Sequence, residues 1–165
     1  MDGLYAESRA KKRVTGKDNA VKFGLIAGII LSVIAGLLIP YVLFFALVFG
    51  VLAYYFLPRL ETEYEYVFCD GQLDFDKISG GIKRKNLLRV DFDQMVVVAP
   101  KNSHALDGYR HNGVEVRDYS SLYEDHRIYG IVITGGEKSQ LIYFEPDDKM
   151  LAAMKQKAPR KIVEY

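Results

Sequence analysis

An uninterrupted apolar segment constrains this chain more than any other feature of its sequence. From Phe23 to Leu57 there is no Asp, Glu, Lys or Arg over 35 residues. All of the 22 basic and 21 acidic residues of the 165-residue chain therefore lie outside this segment. Such segregation excludes a simple water-soluble globule, a disordered chain and a small secreted domain stapled by disulfides.

The apolar segment is long enough for two membrane-spanning helices. A single helix of this length would measure about 52 Å, against a hydrocarbon core of about 30 Å. Pro40 lies near the middle, where it removes a backbone donor and breaks the helix. We predict a transmembrane hairpin over 22–57, with helices at about 22–39 and 41–57, whose ends are extended to the interface by Lys22 and Arg59.

Three other interpretations of this segment stay open. A cleaved signal peptide would be shorter and would end at a small-residue cleavage site, which is missing here. A re-entrant wedge that never crosses the membrane is a stronger alternative, because the turn around Pro40 carries no charged residue. A buried helix pair in a soluble domain would be expected to show a polar face, which neither helix has.

The distribution of charge predicts the orientation of the hairpin. Residues 1–22 carry six basic and three acidic groups, a net charge of +3, whereas residues 58–165 carry a net charge of −2. By the positive-inside rule, the basic head at 1–21 and the segment after the hairpin both face the cytoplasm. Tyr54 and Tyr55 lie where an aromatic belt is expected near the inner boundary. We therefore expect a multi-pass protein of the plasma membrane with both termini in the cytoplasm, a reducing compartment that suits the single Cys69.

Small residues recur along both predicted helices and indicate close helix packing. Residues of this kind at a spacing of four form a groove that another helix can approach. The two helices could pack on each other, or the stripe could serve self-association or a partner membrane protein. The residues concerned are Gly24, Gly28, Ser32 and Gly36 in the first helix and Ala46, Gly50 and Ala53 in the second.

Residues 59–165 show the alternation and turn signals of a small β-domain. Turn pairs such as Asp70-Gly71, Gly80-Gly81 and Gly135-Gly136 separate the apolar alternations. The polar stretch 101–113 is predicted as a long loop. About seven strands are expected, at 61–69, 72–78, 82–92, 95–99, 114–119, 128–134 and 140–144.

The end of the chain carries a helix signature instead. Pro146 suits a first helical turn, and Asp147 and Asp148 complement the positive end of the helix. Apolar residues follow at helical spacing, and Pro159 ends the pattern. We predict a C-terminal amphipathic helix at about 146–157 that caps the open end of a small, bent sheet.

The order of seven strands and a final helix resembles the pleckstrin-homology-like (PH-like) domain. The whole chain also resembles a family of uncharacterised two-span membrane proteins of Gram-positive bacteria, which carries no assigned activity. The resemblance implies a membrane hairpin followed by a cytoplasmic PH-like domain, and nothing about chemistry. It rests on the basic head, Pro58-Arg59, Glu63-Tyr64-Glu65-Tyr66, Asp70-Gly71-Gln72-Leu73-Asp74, Ala99-Pro100, Ser103-His104-Ala105-Leu106-Asp107, Asp118-Tyr119-Ser120-Ser121, Phe144-Glu145-Pro146 and Ala158-Pro159-Arg160-Lys161.

No motif in the sequence predicts catalysis, a metal or a cofactor. Ser103, His104 and Asp107 supply the residue types of a triad, but three neighbours on one loop rarely adopt its geometry. The spacings of the three histidines and Cys69 match no zinc pattern. The glycine pairs lie between strands, where they form turns and do not cradle phosphates.

Two basic groups are candidates for contact with lipid. On a regular strand Lys83, Lys85 and Arg89 would share one face, and each basic group near an anionic membrane surface contributes about 1 kcal/mol. The head cluster Lys11-Lys12-Arg13 is the other candidate. Solvated strand residues and a topology signal are the simpler interpretations of these groups. The acidic first hairpin, with Asp70, Asp74 and Asp76, counts against phosphoinositide recognition.

The loop 102–112 and the segment 118–125 are candidates for a protein-binding surface, because rigid scaffolds display function on loops. We single out Ser103, His104, Asp107 and Tyr119, although Ser103 and Asp107 could equally cap a local turn. The predicted role is thus a noncatalytic, membrane-tethered scaffold or adaptor for a protein partner. A reader of anionic lipid headgroups is the alternative, and the net charge of −2 on the folded part makes a nucleic-acid partner unexpected.

Overall fold

The structure, a computed structural model, describes residues 4–110, 113–134 and 139–163. In these residues a pair of long helices interrupts a β-rich domain of two sheets that ends in a helix. The helices are α1 (Gly16–Leu38), α2 (Leu43–Leu60) and α3 (Asp148–Lys157), and the strands are β1 (Tyr5–Lys11), β2 (Thr62–Cys69), β3 (Gln72–Ser79), β4 (Lys83–Asp91), β5 (Met95–Pro100), β6 (Glu115–Asp118), β7 (Tyr129–Ile133) and β8 (Gln140–Phe144).

The long helices α1 and α2 form the expected hairpin, joined by a 3₁₀ turn at Pro40–Val42. Helix α1 starts at Gly16, about six residues before the position expected from the apolar segment. The cause is a capping box, in which the Thr15 side chain accepts from the Asp18 backbone and the Asp18 carboxylate accepts from the Thr15 backbone. Both helices are long and apolar enough to cross a membrane, and within the described residues little of their surface is buried.

The eight strands form two four-stranded sheets. Sheet A has the order β1-β2-β3-β4, all antiparallel, and sheet B has the order β5-β7-β8-β6. In sheet B only β6 is parallel to its neighbour, from Glu115↔Gln140 to Asp118↔Tyr143. Apart from this short edge strand, the domain has seven antiparallel strands and a final helix, which is the number that the resemblance to a PH-like domain implies. The seven strands predicted from residue 59 onward included β6 and missed β1, which precedes the hairpin.

Strand β1 lies in the segment predicted to be a basic head. It pairs with β2 over seven residues, from Tyr5↔Cys69 to Lys11↔Glu63. Ala6 and Ala10 face the core and are buried, Ser8 lies on the same face and is half-buried, and Glu7 and Arg9 lie on the opposite face. The two strands that flank the hairpin in sequence are thus neighbours in one sheet, so that both ends of the hairpin start from the same edge of the β-domain.

Aromatic side chains fill the space between the sheets. Tyr66, Phe75 and Phe144 are fully buried, with ring centroids 5.5 to 5.8 Å apart in edge-on arrangements. The Tyr66 hydroxyl donates to the Tyr119 carbonyl at 2.5 Å, and burial raises the pKa of Tyr66. Helix α3 closes this core with Met150 and Met154. It begins two residues after the predicted start because Asp147 caps it through the Met150 backbone, at 2.7 Å.

An ion-pair ladder crosses the outer face of sheet A. Glu65 on β2 is only 2% exposed and lies 2.7 Å from Arg9 on β1. Arg84 on β4 pairs with Glu65 and, at 2.8 Å, with Asp76 on β3. The buried carboxylate is therefore neutralised from both sides, and the ladder ties β1 to the remaining three strands.

Candidate functional site

One end of the β-domain brings the basic head cluster close to the end of α2 and to the start of the basic run on β4. It comprises the linker 11–15 before α1, the last turn of α2 and the β3–β4 turn at 79–82, and we call it the hairpin-proximal end. The strand register brings these parts together, because Lys11 pairs with Glu63, Thr62 with Ser79 and Ser79 with Lys83.

The linker before α1 is held on the domain by its own backbone. The Lys12 N–H donates to the Thr62 carbonyl at 2.9 Å, and the Arg13 N–H donates to the Ser121 carbonyl at 2.8 Å. The Arg13 guanidinium lies 5.5 Å from the centroid of the Tyr123 ring. The head cluster predicted to touch lipid, Lys11-Lys12-Arg13, thus occupies a fixed position at the base of α1.

A cluster of Ser121, His126 and Glu145 lies beneath this linker. The Ser121 Oγ is 2.5 Å from Glu145 Oε1 and 3.0 Å from His126 Nδ1, which is itself 2.9 Å from Glu145 Oε2. A catalytic relay needs the histidine to contact serine and carboxylate through different nitrogens. Here one nitrogen makes both contacts, so the cluster does not have the geometry of such a relay, and it ties the linker to the end of β8.

The linker and this cluster border a cavity of about 320 Å³, to which Arg9, Lys11, Arg13, Tyr123 and His126 contribute. Sequence reasoning did not identify the cluster, because its members are distant along the chain and match no motif. The nearest available signal was the segment 118–125, which contains Ser121 and was singled out for protein binding without any link to His126 or Glu145.

The basic run on β4 does not lie on a single face. A bulge shifts the β3–β4 register between Phe75 and Asp76, so that Lys85 stands opposite Lys77 but Arg89 stands opposite Asp74. Since Lys77 and Asp74 lie on opposite faces of β3, Arg89 is separated from Lys83 and Lys85. The shared face expected for the three residues is therefore corrected.

Arg89 is engaged by a carboxylate. Its guanidinium makes two hydrogen bonds with Asp74, at 2.6 and 3.0 Å, which raise the pKa of Arg89. Lys83 and Lys85 are exposed, and in the described part of the chain neither has an acidic partner. Of the predicted β4 cations, the two lysines are thus the ones left available to an external anion.

The β3–β4 turn lies against the end of α2. The Gly80 N–H donates to the Glu61 carbonyl at 2.9 Å. A Cβ placed on Gly80 would lie 2.7 Å from Pro58 Cβ, and its φ of +61° also favours glycine. Between the turn and Tyr54, Tyr55 and Arg59 of α2 lies a second cavity of about 320 Å³.

The small-residue stripe divides into a covered part and an open part. A Cβ on Gly28 would lie 3.0 Å from the Phe49 ring, and one on Gly36 would lie 2.5 Å from Leu43 Cδ2. Ser32 is buried and donates to the Gly28 carbonyl at 2.7 Å. Ala46 is half-buried, and a Cβ on Gly24 or Gly50 would meet nothing within 4 Å. The covered part therefore holds α1 against α2.

The predicted long loop contains a short 3₁₀ helix at His104–Tyr109. Ser103 caps it by accepting from the Ala105 N–H at 3.3 Å, and the exposed His104 lies 2.9 Å from Asp107 Oδ2. Leu106 is fully buried and fixes the loop to the core. This arrangement matches the local-turn alternative for Ser103 and Asp107 while leaving His104 on the surface.

Tyr119 is half-buried at the end of β6. Its ring packs 5.5 Å from Tyr64 and 5.6 Å from Phe75, and its carbonyl accepts a hydrogen bond from the Tyr66 hydroxyl. Its N–H donates to the Tyr143 carbonyl at 2.9 Å, which holds the ring against the aromatic core. The protein contact expected for Tyr119 stays a prediction.

Both loop segments considered for protein binding border an open cavity of about 600 Å³. Asn102 contributes from one side and Glu124 and Arg127 from the other, with Tyr129 at the base. The lining carries both charge signs and apolar surface.

Within the described residues no group of three or more potential ligands could hold a metal ion. His111, one of the three histidines, and the turn predicted at Gly135-Gly136 lie outside the described residues.

Comparison with known proteins gives one family. A family model described as a bacterial PH-like domain (DUF6106) matches residues 2–164. This match includes β1, the hairpin and the β-domain, so the hairpin belongs to the matched unit. Neither a curated protein nor a solved structure matches the chain.

Packing of α1 on α2 leads to a prediction for a matched pair of variants. Gly36→Leu should destabilise the hairpin by about 1–3 kcal/mol, because the new side chain overlaps Leu43. Gly24→Leu, on the same helix but in open space, should leave stability unchanged. Thermal unfolding in detergent measures both, and equal losses in the two variants would contradict the packing described here.

Proposed function

We propose that this chain, which belongs to the DUF6106 family of bacterial PH-like domains, is a noncatalytic membrane-anchored adaptor. Its hairpin crosses the plasma membrane, and its PH-like domain presents a binding surface to a protein partner on the cytoplasmic side. The observation that carries the proposal is the pairing of β1 with β2, because it makes the membrane anchor and the β-domain one continuous unit.

The topology of the adaptor is supported by two independent arguments. Strands β1 and β2 are neighbours in sheet A, so the chain must enter and leave the hairpin on the same side of the membrane. The basic linker residues and Arg59 lie at that side, which by the positive-inside rule is the cytoplasm. A re-entrant hairpin satisfies the first argument equally, and the labelling experiment below separates the two.

The 600 Å³ cavity supports the assignment to a protein partner. It is open, it is bordered by two loop segments, and its lining combines Lys101, Glu124 and Arg127 with the apolar Ile128 and Tyr129. Such a mixture of charge and apolar surface suits a polypeptide segment. The three charges would set the register of that segment, while its apolar residues would contact the base of the cavity.

A second candidate function, the recognition of anionic lipid headgroups, is favoured by one observation. Lys83 and Lys85 are exposed at the start of β4, directly after the turn that lies against the last turn of α2. An anchored domain holds these charges close to the bilayer at all times, so that weak contacts would be sufficient.

Labelling of cysteine in cells tests the orientation and the crossing. Native Cys69 is exposed and is the single cysteine of the chain. A membrane-impermeant maleimide should label it in inverted membrane vesicles and not in intact cells. Tyr41→Cys in a Cys69→Ser background should show the opposite pattern if the turn reaches the outside. Labelling of Cys69 in intact cells would contradict the proposed orientation, and an unlabelled Tyr41→Cys in intact cells would indicate a re-entrant hairpin.

Photo-crosslinking in living cells tests the partner. A photoreactive phenylalanine analogue at Glu124, on the rim of the 600 Å³ cavity, should give a discrete protein adduct. The same analogue at Val116, which is exposed on the edge strand β6, serves as the control. A Lys101→Glu change should reduce the Glu124 adduct, because it reverses one charge of the cavity. Equal adducts at Glu124 and Val116, or none at Glu124, would contradict the adaptor proposal.

A further inference from the structure

We infer that the β3–β4 turn is inserted into the headgroup layer of an anionic bilayer, with Ile82 as its apolar tip and Lys83 and Lys85 as its anion contacts. This inference deepens the lipid-contact candidate, and it rests on the proposed function only for the embedding of the hairpin in the membrane. Its occupant is the bilayer surface itself.

The depth of the turn is set by its contact with α2. Gly80 lies against Pro58, where any side chain would overlap the proline ring, and its N–H bonds to the Glu61 carbonyl. The turn is therefore docked on the last turn of the helix and cannot swing away without losing that bond. Wherever α2 leaves the membrane, the turn lies at the same level.

Aromatic residues mark that level. Tyr54 precedes Pro58 by four residues, which is about 6 Å along the helix axis. It is 86% exposed in the isolated chain, and tyrosine at the end of an apolar helix lies at the headgroup boundary. Since the turn docks one helical turn beyond Tyr54, it lies at headgroup depth on the cytoplasmic side of this boundary.

Ile82 is an apolar side chain at the rim of the cavity beside α2 that the protein leaves almost entirely uncovered. It is 89% exposed, the largest exposed fraction among the large apolar residues that the structure describes. Its neighbour Gly81 has a φ of +68° and open space around it, so the turn projects freely beyond the sheet. The nearest apolar medium available to such a tip is the bilayer interface.

The charges around Ile82 complement an anionic surface. Lys83 and Lys85 lie on one face of β4, with Lys77 opposite Lys85 on β3. Arg59 lies on the other side of the turn, with its guanidinium carbon 3.7 Å from the centroid of the Tyr55 ring. The intervening cavity of about 320 Å³ is bounded by tyrosine and by basic residues, and a phospholipid headgroup can occupy it with its phosphate between Arg59 and Lys83.

The absence of tryptophan from the chain allows a direct test. Ile82→Trp in the full chain introduces a single tryptophan at the tip, which can be excited selectively over the 12 tyrosines. The protein is reconstituted into nanodiscs of phosphatidylcholine, with or without phosphatidylglycerol. Tyr54→Trp reports on the embedding of α2, and Val116→Trp reports on an exposed apolar position of β6. The readouts are the emission maximum and the quenching by lipids brominated in their acyl chains.

The expected result is a blue-shifted, quenchable emission from Ile82→Trp, stronger with phosphatidylglycerol, against an unquenched emission from Val116→Trp. Adding Lys83→Glu and Lys85→Glu to Ile82→Trp should remove the difference between the two lipid compositions. Quenching at Tyr54→Trp without quenching at Ile82→Trp would overturn the inference and leave the membrane anchor intact. No quenching at Tyr54→Trp would instead overturn the embedding itself. Quenching at Ile82→Trp that is equal in both lipid mixtures would overturn the assignment of Lys83 and Lys85 as anion contacts.

Discussion

The pairing of β1 with β2 is the constraint on which the rest of the molecule depends. The seven-residue ladder brings together strands that are separated in sequence by the entire hairpin, residues 12–61. Closing so long a loop has an entropic cost, which the packing of α1 on α2 reduces by holding the ends of the hairpin together. Anchor and sheet therefore support each other: the hairpin brings the strands into reach, and the strands hold both helix ends at one edge of the domain.

With the hairpin embedded as proposed, this arrangement makes the position of the β-domain relative to the bilayer a property of the fold. A domain on a flexible linker would present every face to the membrane in turn. Here the linker before α1 is bonded to Thr62 and Ser121, and the β3–β4 turn is docked on Pro58. In the proposed topology, the same loops therefore always face the membrane, and the same loops always face the cytoplasm.

Features governed by local patterns could be predicted from the sequence. The apolar segment and Pro40 indicate two helices, and alternation with glycine turns locates β2, β3 and β8 within a residue or two. Features that depend on distant partners could not. Strand β1 is short of β-branched residues, and its Ala6 and Ala10 become a core face only against β2 and α3. The bulge that separates Arg89 from Lys85 is a mismatch between two strands and leaves no signal in either one.

The candidate site follows the same division. Lys83, Lys85 and the head cluster were identifiable from the sequence, since each belongs to a short run of basic residues. Ile82, by contrast, reads as the ordinary start of a strand, and its exposure is evident only once the turn is seen to project past Pro58. Tyr119 is the opposite case, since it lies in a polar stretch of the sequence but packs against the aromatic core. The long-range pairing of β6 with β8 places it there.

The most direct test of this account is a disulfide between β1 and β2 in native membranes. Tyr5 and Cys69 are register partners, so Tyr5→Cys places a second thiol opposite the native one, at a Cα separation of about 4.5–5.5 Å that a disulfide can span. Mild oxidation of Tyr5→Cys should give an intramolecular crosslink, seen as a reversible mobility shift of the monomer. Ser8→Cys, on the opposite face of β1 and out of register with Cys69, should give none. Absence of the crosslink in Tyr5→Cys, or its formation only between chains, would show that β1 does not close the hairpin.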